Sequence, residues 1–300
     1  MFRFVRFLCA IAAGISAVST SVQACSVCSC GDPSTVACSR EAVAETPAWA
    51  VAIESRHFSK SNSNDAGDGT ESHSQTQIGL AISRTFRHGF EVYVRMPFVS
   101  SVLKTTGTSD EAGRINRSGA GDLDLLAKYS LRSLSSSWTP SLSVGVKAPT
   151  GNNDLKENGE RMTEHAQPGT GSWDGYAVMS LSREGTVTWS GAAGYRFNGV
   201  NSFSQRYGQV GWLQLTASRP LFARLRLDAG MRLRSAATDL TDEGSDPNSG
   251  GTLLSGLLGA RVSLTQALAF RISGAIPLAA NLRGSQKEYS QIEGGLVTTF

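Results

Sequence analysis

Two groups of side chains in this chain have types and spacing suited to chemistry. The first is Cys25-x-x-Cys28-x-Cys30, with Cys38 a short way on. In an oxidising compartment four thiols this close pair as disulfides, and three connectivities are open to them. The second reading of the same spacing is a set of thiolates presented to a soft metal such as Cu(I) or zinc. No histidine follows Cys28, so the haem-attachment pattern is missing. The second group is a set of cations: Arg56, Arg95, Lys128, Lys147, Arg196, Arg224, Arg226, Arg232, Arg234, Arg261 and Arg271. All fall on one parity of segments that alternate with period two. Glu54, Glu91, Asp122, Asp124, Asp228 and Glu293 share that parity, so the face they form is basic on balance. A focused positive field concentrates anionic solutes, and rings of charge set selectivity in pores. The plainer alternative is a ladder of ion pairs that fills an interior.

Catalysis has little foothold. His57, His73, His88 and His165 sit in turns, loops or at a strand end, without Ser, Asp or Glu in a recognisable motif. The chain is therefore expected not to be an enzyme and to carry no cofactor; a hydrolase at the rim, using His57 or His165, is the remotest of the readings. The oxygen-rich stretches Asn62–Asp65 and Asp239–Asp246 offer Ca²⁺ ligands but lack a fixed loop signature, so solvated loops are expected there.

The elements that position the cations are strands. From Trp49 onward about twelve segments of strand length alternate strictly. In Ala223 to Arg234, Ala223, Leu225, Leu227, Ala229, Met231 and Leu233 point one way and Arg224, Arg226, Asp228, Gly230, Arg232 and Arg234 the other. Phe90, Val92, Val94, Met96 and Phe98 alternate with Glu91, Tyr93, Arg95 and Pro97; Trp189, Tyr195 and Phe197 oppose Arg196; Phe270 and Ile272 oppose Arg271. The last segment, Gln291 to Phe300, puts Ile292, Gly294, Leu296, Thr298 and Phe300 on one face, the ending expected of an outer-membrane strand. Arg84 falls on the apolar parity, which implies snorkelling at a membrane boundary.

The connections sort by length. Short ones centre on Arg87-His88-Gly89, Ser133 to Trp138, Arg183-Glu184-Gly185, Pro220-Leu221 and Thr265-Gln266; long ones are His57 to Ser74, Ser101 to Ser118, Ala148 to Asp174, Asn198 to Tyr207, Ser235 to Gly251 and Leu278 to Ser290. Tight periplasmic turns alternating with long external loops mark outer-membrane barrels. The expected fold is all-β, a closed antiparallel transmembrane β-barrel of about twelve strands over residues 49–300. Residues 25–48 form a Cys-rich periplasmic segment able to meet a periplasmic partner, and residues 1–24 a signal peptide. That peptide has Arg3 and Arg6, an apolar run from Phe7 to Val18, and Val22-Gln23-Ala24 at its end; acylation of Cys25 is the alternative processing. Charged residues make up 18% and hydrophobic ones 40%, both below globular averages of about 25% and 45–50%, as suits a wall between lipid and water. A net charge of +3 is too small to imply a nucleic-acid partner. The partners expected are outer-membrane lipid and a small solute.

Four segments carry a resemblance: Gly119-Ala120-Gly121-Asp122-Leu123-Asp124, Lys147-Ala148-Pro149-Thr150-Gly151, Gly169-Thr170-Gly171-Ser172-Trp173-Asp174 and Gly194-Tyr195-Arg196-Phe197-Asn198. In order and spacing the chain resembles the MetA-pathway phenol-degradation family of outer-membrane proteins. The resemblance implies a barrel that moves small or aromatic solutes, and it supplies no catalytic set. The segments read as rims: Pro149 stops a ladder, Gly151 allows a positive-φ exit, Gly169 and Gly171 start the return, and Trp173 sits at the interface. The leading expectation is thus a passive channel or uptake component for a small solute, anionic or aromatic. The alternative is a closed scaffold whose Cys segment binds a metal or a partner.

Overall fold

Alternation with period two generates the whole molecule. The computed structural model describes residues 48–63, 69–107, 113–131, 137–157, 159–162, 166–241 and 244–300. The cysteines, the leader, His165 and Asp65 lie outside the described residues. In chain order the strands are β1 (Ala48–Ser63), β2 (Gly69–Thr85), β3 (Phe90–Gly107), β4 (Gly113–Ala120), β5 (Leu123–Ser130), β6 (Trp138–Ala148), β7 (Lys156–Glu157), β8 (Glu160–Arg161), β9 (Asp174–Arg183), β10 (Thr188–Asn198), β11 (Val210–Phe222), β12 (Leu225–Ala236), β13 (Leu240–Thr241), β14 (Gly244–Ser245), β15 (Gly251–Ser263), β16 (Leu268–Leu282), β17 (Lys287–Glu288) and β18 (Gln291–Thr299).

Fourteen of these share one antiparallel sheet; β4 continues the line of β5 along β3, and β17 that of β18 along β1, which leaves twelve wall strands. The sheet closes on itself because β1 pairs with both β2 and β18. At the seam Trp49 N donates to Phe300 O (2.9 Å) and Phe300 N to Trp49 O (3.0 Å). Closure leaves no sheet edge, the condition under which strands can cross hydrocarbon.

The outward parity is apolar and bare: Ile53, Phe197, Leu215 and Leu258 are 57%, 59%, 61% and 60% exposed. A continuous belt of this kind, with Trp49, Phe86, Trp138 and Trp189 at its lower rim, belongs against lipid acyl chains. The protein is an outer-membrane β-barrel. Arg84 does snorkel: its guanidinium lies 4.9 Å from the Trp49 ring and 5.1 Å from that of Phe86, as Arg183 lies 5.6 Å from Trp138.

Three local expectations need correcting. Most of 57–74 and 101–118 is strand, since β1, β2 and β3 run on past the belt and pair with each other and with β4. Serine and threonine occupy the outward positions there (Ser55, Ser59, Ser72, Ser74, Thr76), so polarity alternation vanishes although the ladder continues. Pro220 and Leu221 belong to β11, where Pro220 sits at a register shift, and the turn is Ala223–Arg224. Gly151 is not among the positive-φ residues, whereas Gly171 is (φ 71). Gly151 is small for another reason: an added Cβ would lie 2.8 Å from both Gly121 C and Gly169 Cα.

Candidate functional site

The inward parity divides the lumen into two unlike halves. Along β1 to β10 most inward side chains are buried, with large ones packed against small ones. Ala52, Ala81, Tyr93, Leu126 and Tyr176 form an apolar layer with Val297 packed against it. Gly145 makes room for the Tyr176 ring, since a Cβ there would come within 2.4 Å of Tyr176 Cζ. Beside this layer Arg95 lies 3.6 Å from Glu54 and 3.5 Å from Asp124, and Arg56 lies 3.0 Å from Glu293. These pairs tie β1, β3, β5 and β18 together across the interior.

Toward the outer mouth the four glycine-containing segments noted in the sequence meet in one buried network. Asp122 accepts from Gly151 N (3.0 Å), Thr170 N (2.8 Å) and Thr170 Oγ1 (2.8 Å) and pairs with Lys147 Nζ (3.0 Å). Lys147 also reaches Asp174 (2.6 Å), which takes Arg196 Nη2 at 2.9 Å, Ser172 Oγ at 2.8 Å and Gly199 N at 3.1 Å. Lys147 further donates to Thr170 Oγ1, and Asn201 Nδ2 donates to Thr170 O at 3.1 Å. Asp122, Lys147, Asp174 and Arg196 have side chains no more than 7% exposed, so each charge depends on the others for solvation. The connection from Pro149 to Trp173 is thereby held against the inside of the wall. Pro168 packs over Gly119, where a Cβ would be 3.0 Å from Pro168 Cγ, and over the backbone of Gly121. Neighbouring loops close over it: Arg161 stacks 3.8 Å above Phe203 and donates to Gln205 Oε1 (3.0 Å), and Arg117 reaches Glu157 (2.9 Å).

Along β11 to β18 the inner face is mixed. Val210, Trp212, Ser218, Arg232, Leu253 and Ser255 are buried, most of the other inward residues are half-buried, and a cavity opens among Gln214, Thr216, Asp228, Arg232, Arg271, Ser273, Gln291 and Glu293. Small inward residues, Gly230, Gly259, Ala275 and Gly295 among them, line this side. This cavity lies beside the filled interior.

A family model described as "Putative MetA-pathway of phenol degradation" matches residues 84–276, a span that contains all four segments of the rim network. The chain belongs to this family. A comparison with curated proteins finds no match. Among solved structures, the COG4313 outer membrane channel from Pseudomonas putida F1 is 16% identical with a TM-score of 0.64, over 90% of this chain and 99% of that one. The transport unit of the autotransporter AIDA-I from Escherichia coli is 12% identical with a TM-score of 0.51, over 85% of this chain and 90% of that one. At such identities these likenesses speak for the fold.

In this MetA-pathway family member the cations expected on the inward face fall into three groups. Arg56, Arg95 and Arg196 are buried in the ion pairs of the filled half, and Arg234 pairs with Glu288 of β17. Arg226, Arg232, Arg261 and Arg271 stand on the inward parity of β12, β15 and β16; Arg232 Nε donates to Gln214 Oε1 (2.9 Å). Lys128 is half-buried on β5, and Arg224 lies in the β11–β12 turn, exposed and off the wall. Cys25, Cys28, Cys30 and Cys38 lie outside the described residues. His57 faces outward, its Nδ1 2.9 Å from Thr76 Oγ1, and His73 is buried with its ring 6.1 Å from Phe58. Sequence reasoning missed Thr170 and Asp174 as partners of Lys147, and Ser172 as a partner of Asp174. The usable signal was that each glycine-containing segment holds at least one hydrogen-bonding residue on the inward parity.

Proposed function

We propose that the protein is a passive outer-membrane channel or uptake component for a small solute, anionic or aromatic. The observation that carries this reading is the cavity in the less filled half of the lumen, bounded by small inward residues with Arg232 and Arg271 in its lining, inside a wall whose outer face is lipid-directed. A field of this sign in a narrow low-dielectric passage favours anions. Membership of a phenol-degradation family and the fold likeness to an outer membrane channel support passage of small solutes, aromatic ones included. The test is conductance of the purified protein in planar bilayers together with swelling of liposomes loaded with small solutes. Stepwise conductance and swelling are expected, and a folded, inserted barrel that yields neither refutes the reading. The filled half favours a second reading, a scaffold without through-flow whose N-terminal CxxCxC segment holds a metal or a periplasmic partner. Metal analysis and thiol alkylation of membrane-extracted protein separate the two.

A further inference from the structure

Above the apolar belt the outward face of β1 to β4 changes character. Ile78 on β2 and Phe98 on β3, paired across the ladder, are the last large apolar residues exposed on these strands. Because the pleat has period two, each further step of two residues brings a new row to the outside. The first row is His57, Thr76, Ser100 and Ser118, and the second is Ser59, Ser74, Val102 and Asn116. The third is Lys287 of β17, Ser61, Ser72, Lys104 and Arg114. Lys287, Lys104 and Arg114 are all exposed, and no member of the row is acidic.

Lys104 and Arg114 are directly opposite one another, a like-charged pair that strand pairing alone disfavours. The groups around the row are neutral. Arg114 Nε donates to Asn116 Oδ1 at 3.2 Å, and Ser61 Oγ lies 3.0 Å from Tyr289 Oη. One step further out, Thr106 Oγ1 donates to Thr70 O at 3.0 Å. The carboxylates next along the chain are turned away: Glu71 and Glu288 take the inward parity, where Glu288 pairs with Arg234. From Ile78 to Ser72 the strand climbs about 20 Å, at roughly 3.3 Å per residue. A strand tilt of about 35–45° brings this to roughly 15 Å above the belt. Phosphates at the hydrocarbon boundary lie below that height, and the sugars they carry reach it.

We propose that Lys104, Arg114 and Lys287 bind the phosphorylated inner-core saccharide of an outer-leaflet glycolipid, whose sugars lie along the polar rows beneath. The proposal rests on the outer-membrane placement alone and does not require the lumen to conduct. Phosphate oxygens take charge-assisted hydrogen bonds from ammonium and guanidinium groups, and basic clusters beside a membrane select anionic headgroups. Thr76, Ser100, Ser59, Ser74 and Asn116 offer donors and acceptors to sugar hydroxyls. A glycolipid seated there supplies the anions that the opposed cations lack within their own row.

The test uses the full chain purified in a neutral detergent and follows binding of labelled lipopolysaccharide that carries a phosphorylated inner core. Lys104→Gln, Arg114→Gln or Lys287→Gln alone should raise its Kd about fivefold, and the triple variant on the order of a hundredfold. Lipopolysaccharide with its core phosphates removed should bind the wild type about as weakly as the intact form binds the triple variant. Lipid A without the core should bind both proteins alike. Arg87→Gln, in the exposed β2–β3 turn at the opposite end of the barrel, serves as the control, and the heat-dependent gel shift confirms that each variant is folded. An unchanged Kd in the folded triple variant, a wild type indifferent to the core phosphates, or no binding by folded wild type overturns the proposal. Weaker lipid A binding in the triple variant overturns the assignment to the core. Displacement by an equal concentration of inorganic phosphate gives the row to a free anion and overturns it as well.

Discussion

Asp122→Asn is the sharpest probe of the rim network, because everything that touches the Asp122 carboxylate in it is a donor. Gly151 N, Thr170 N, Thr170 Oγ1 and Lys147 Nζ all point at its two oxygens, at 3.0, 2.8, 2.8 and 3.0 Å. An asparagine of the same shape offers one acceptor and turns an NH₂ group toward either Gly151 N–H or the Thr170–Lys147 side. One buried donor then faces another, which costs about 1–3 kcal/mol. Loss of the charge that Lys147 shares with Asp174 brings the total to the roughly 3–5 kcal/mol typical of removing one partner from a buried pair. The connection 149–173 should bear most of this cost, since two of its backbone amides end on Asp122. The readout is hydrogen exchange at the Gly169 amide, which bonds to Asn152 O at 2.9 Å and makes no contact with the altered side chain. At about 1.4 kcal/mol per factor of ten, its exchange should quicken on the order of 10²–10³-fold, with the barrel still folded by gel shift. A Gly169 rate within a few-fold of wild type in a folded Asp122→Asn barrel would refute the claim that this network holds the loop inside the wall.

Two more outcomes follow from the same geometry. Gly169→Ala would place a Cβ 2.6 Å from Gly151 C, backbone that cannot yield as a side chain would. A loss of about 1–3 kcal/mol is expected, read as a lower melting temperature and faster exchange of residues 149–151. At the outer end of β2, beyond the apolar belt, burial raises the Glu71 carboxyl above its ordinary value of 4.5. A raised carboxyl contributes stability that is fully present below the ordinary value and is lost as pH rises through the raised one. Glu71→Gln should therefore protect the β1–β2 extension from exchange at neutral pH and make no difference below pH 4.5; an equal effect at both pH values would contradict this.

The wall was legible in the sequence because lipid and water impose opposite demands on neighbouring residues. Phe90 to Phe98, Leu225 to Arg234 and Gln291 to Phe300 each declare which side chain faces out, and twelve such segments close the sheet. The signal fails where both faces meet water. Ser59, Ser72 and Ser74 read as loop, although β1 and β2 stay hydrogen-bonded to Ser63 and Thr70. Arg224 read as wall because the alternation Ala223–Arg224–Leu225 carries on through a turn that is set by backbone geometry. The rim network was invisible for a different reason. Its members come from four segments, and parity assigns each one an inward direction but says nothing of which distant residue it meets. Only the recurrence of glycine beside Asp122, Gly151, Thr170 and Ser172 hinted at close backbone approach.

The position of the passage follows from side-chain volume on a single parity. Eight strands make an interior that side chains just fill, so twelve strands leave surplus space that something else must occupy or leave wet. On β1 to β10 the inward positions carry Phe58, Tyr93, Arg95, Tyr176 and Lys147, and the 149–173 connection is drawn in against them. On β12 to β18 the same parity carries Gly230, Gly259, Ser273, Ala275 and Gly295 beside Arg226, Arg232, Leu253 and Leu257, and a cavity remains next to the small ones. The cations divide accordingly. Arg56, Arg95 and Arg196 fasten the filled half, whereas Arg226, Arg261 and Arg271 stand on β12, β15 and β16 in the other. Charge with one function on paper thus has two in the fold, and which one a given arginine serves is decided by the size of its cross-strand neighbours. Enlarging Gly259 to leucine should consequently narrow the cavity and lower conductance while the rim network is left intact, with some loss of barrel stability because the new Cβ would lie 3.3 Å from Ile272 O.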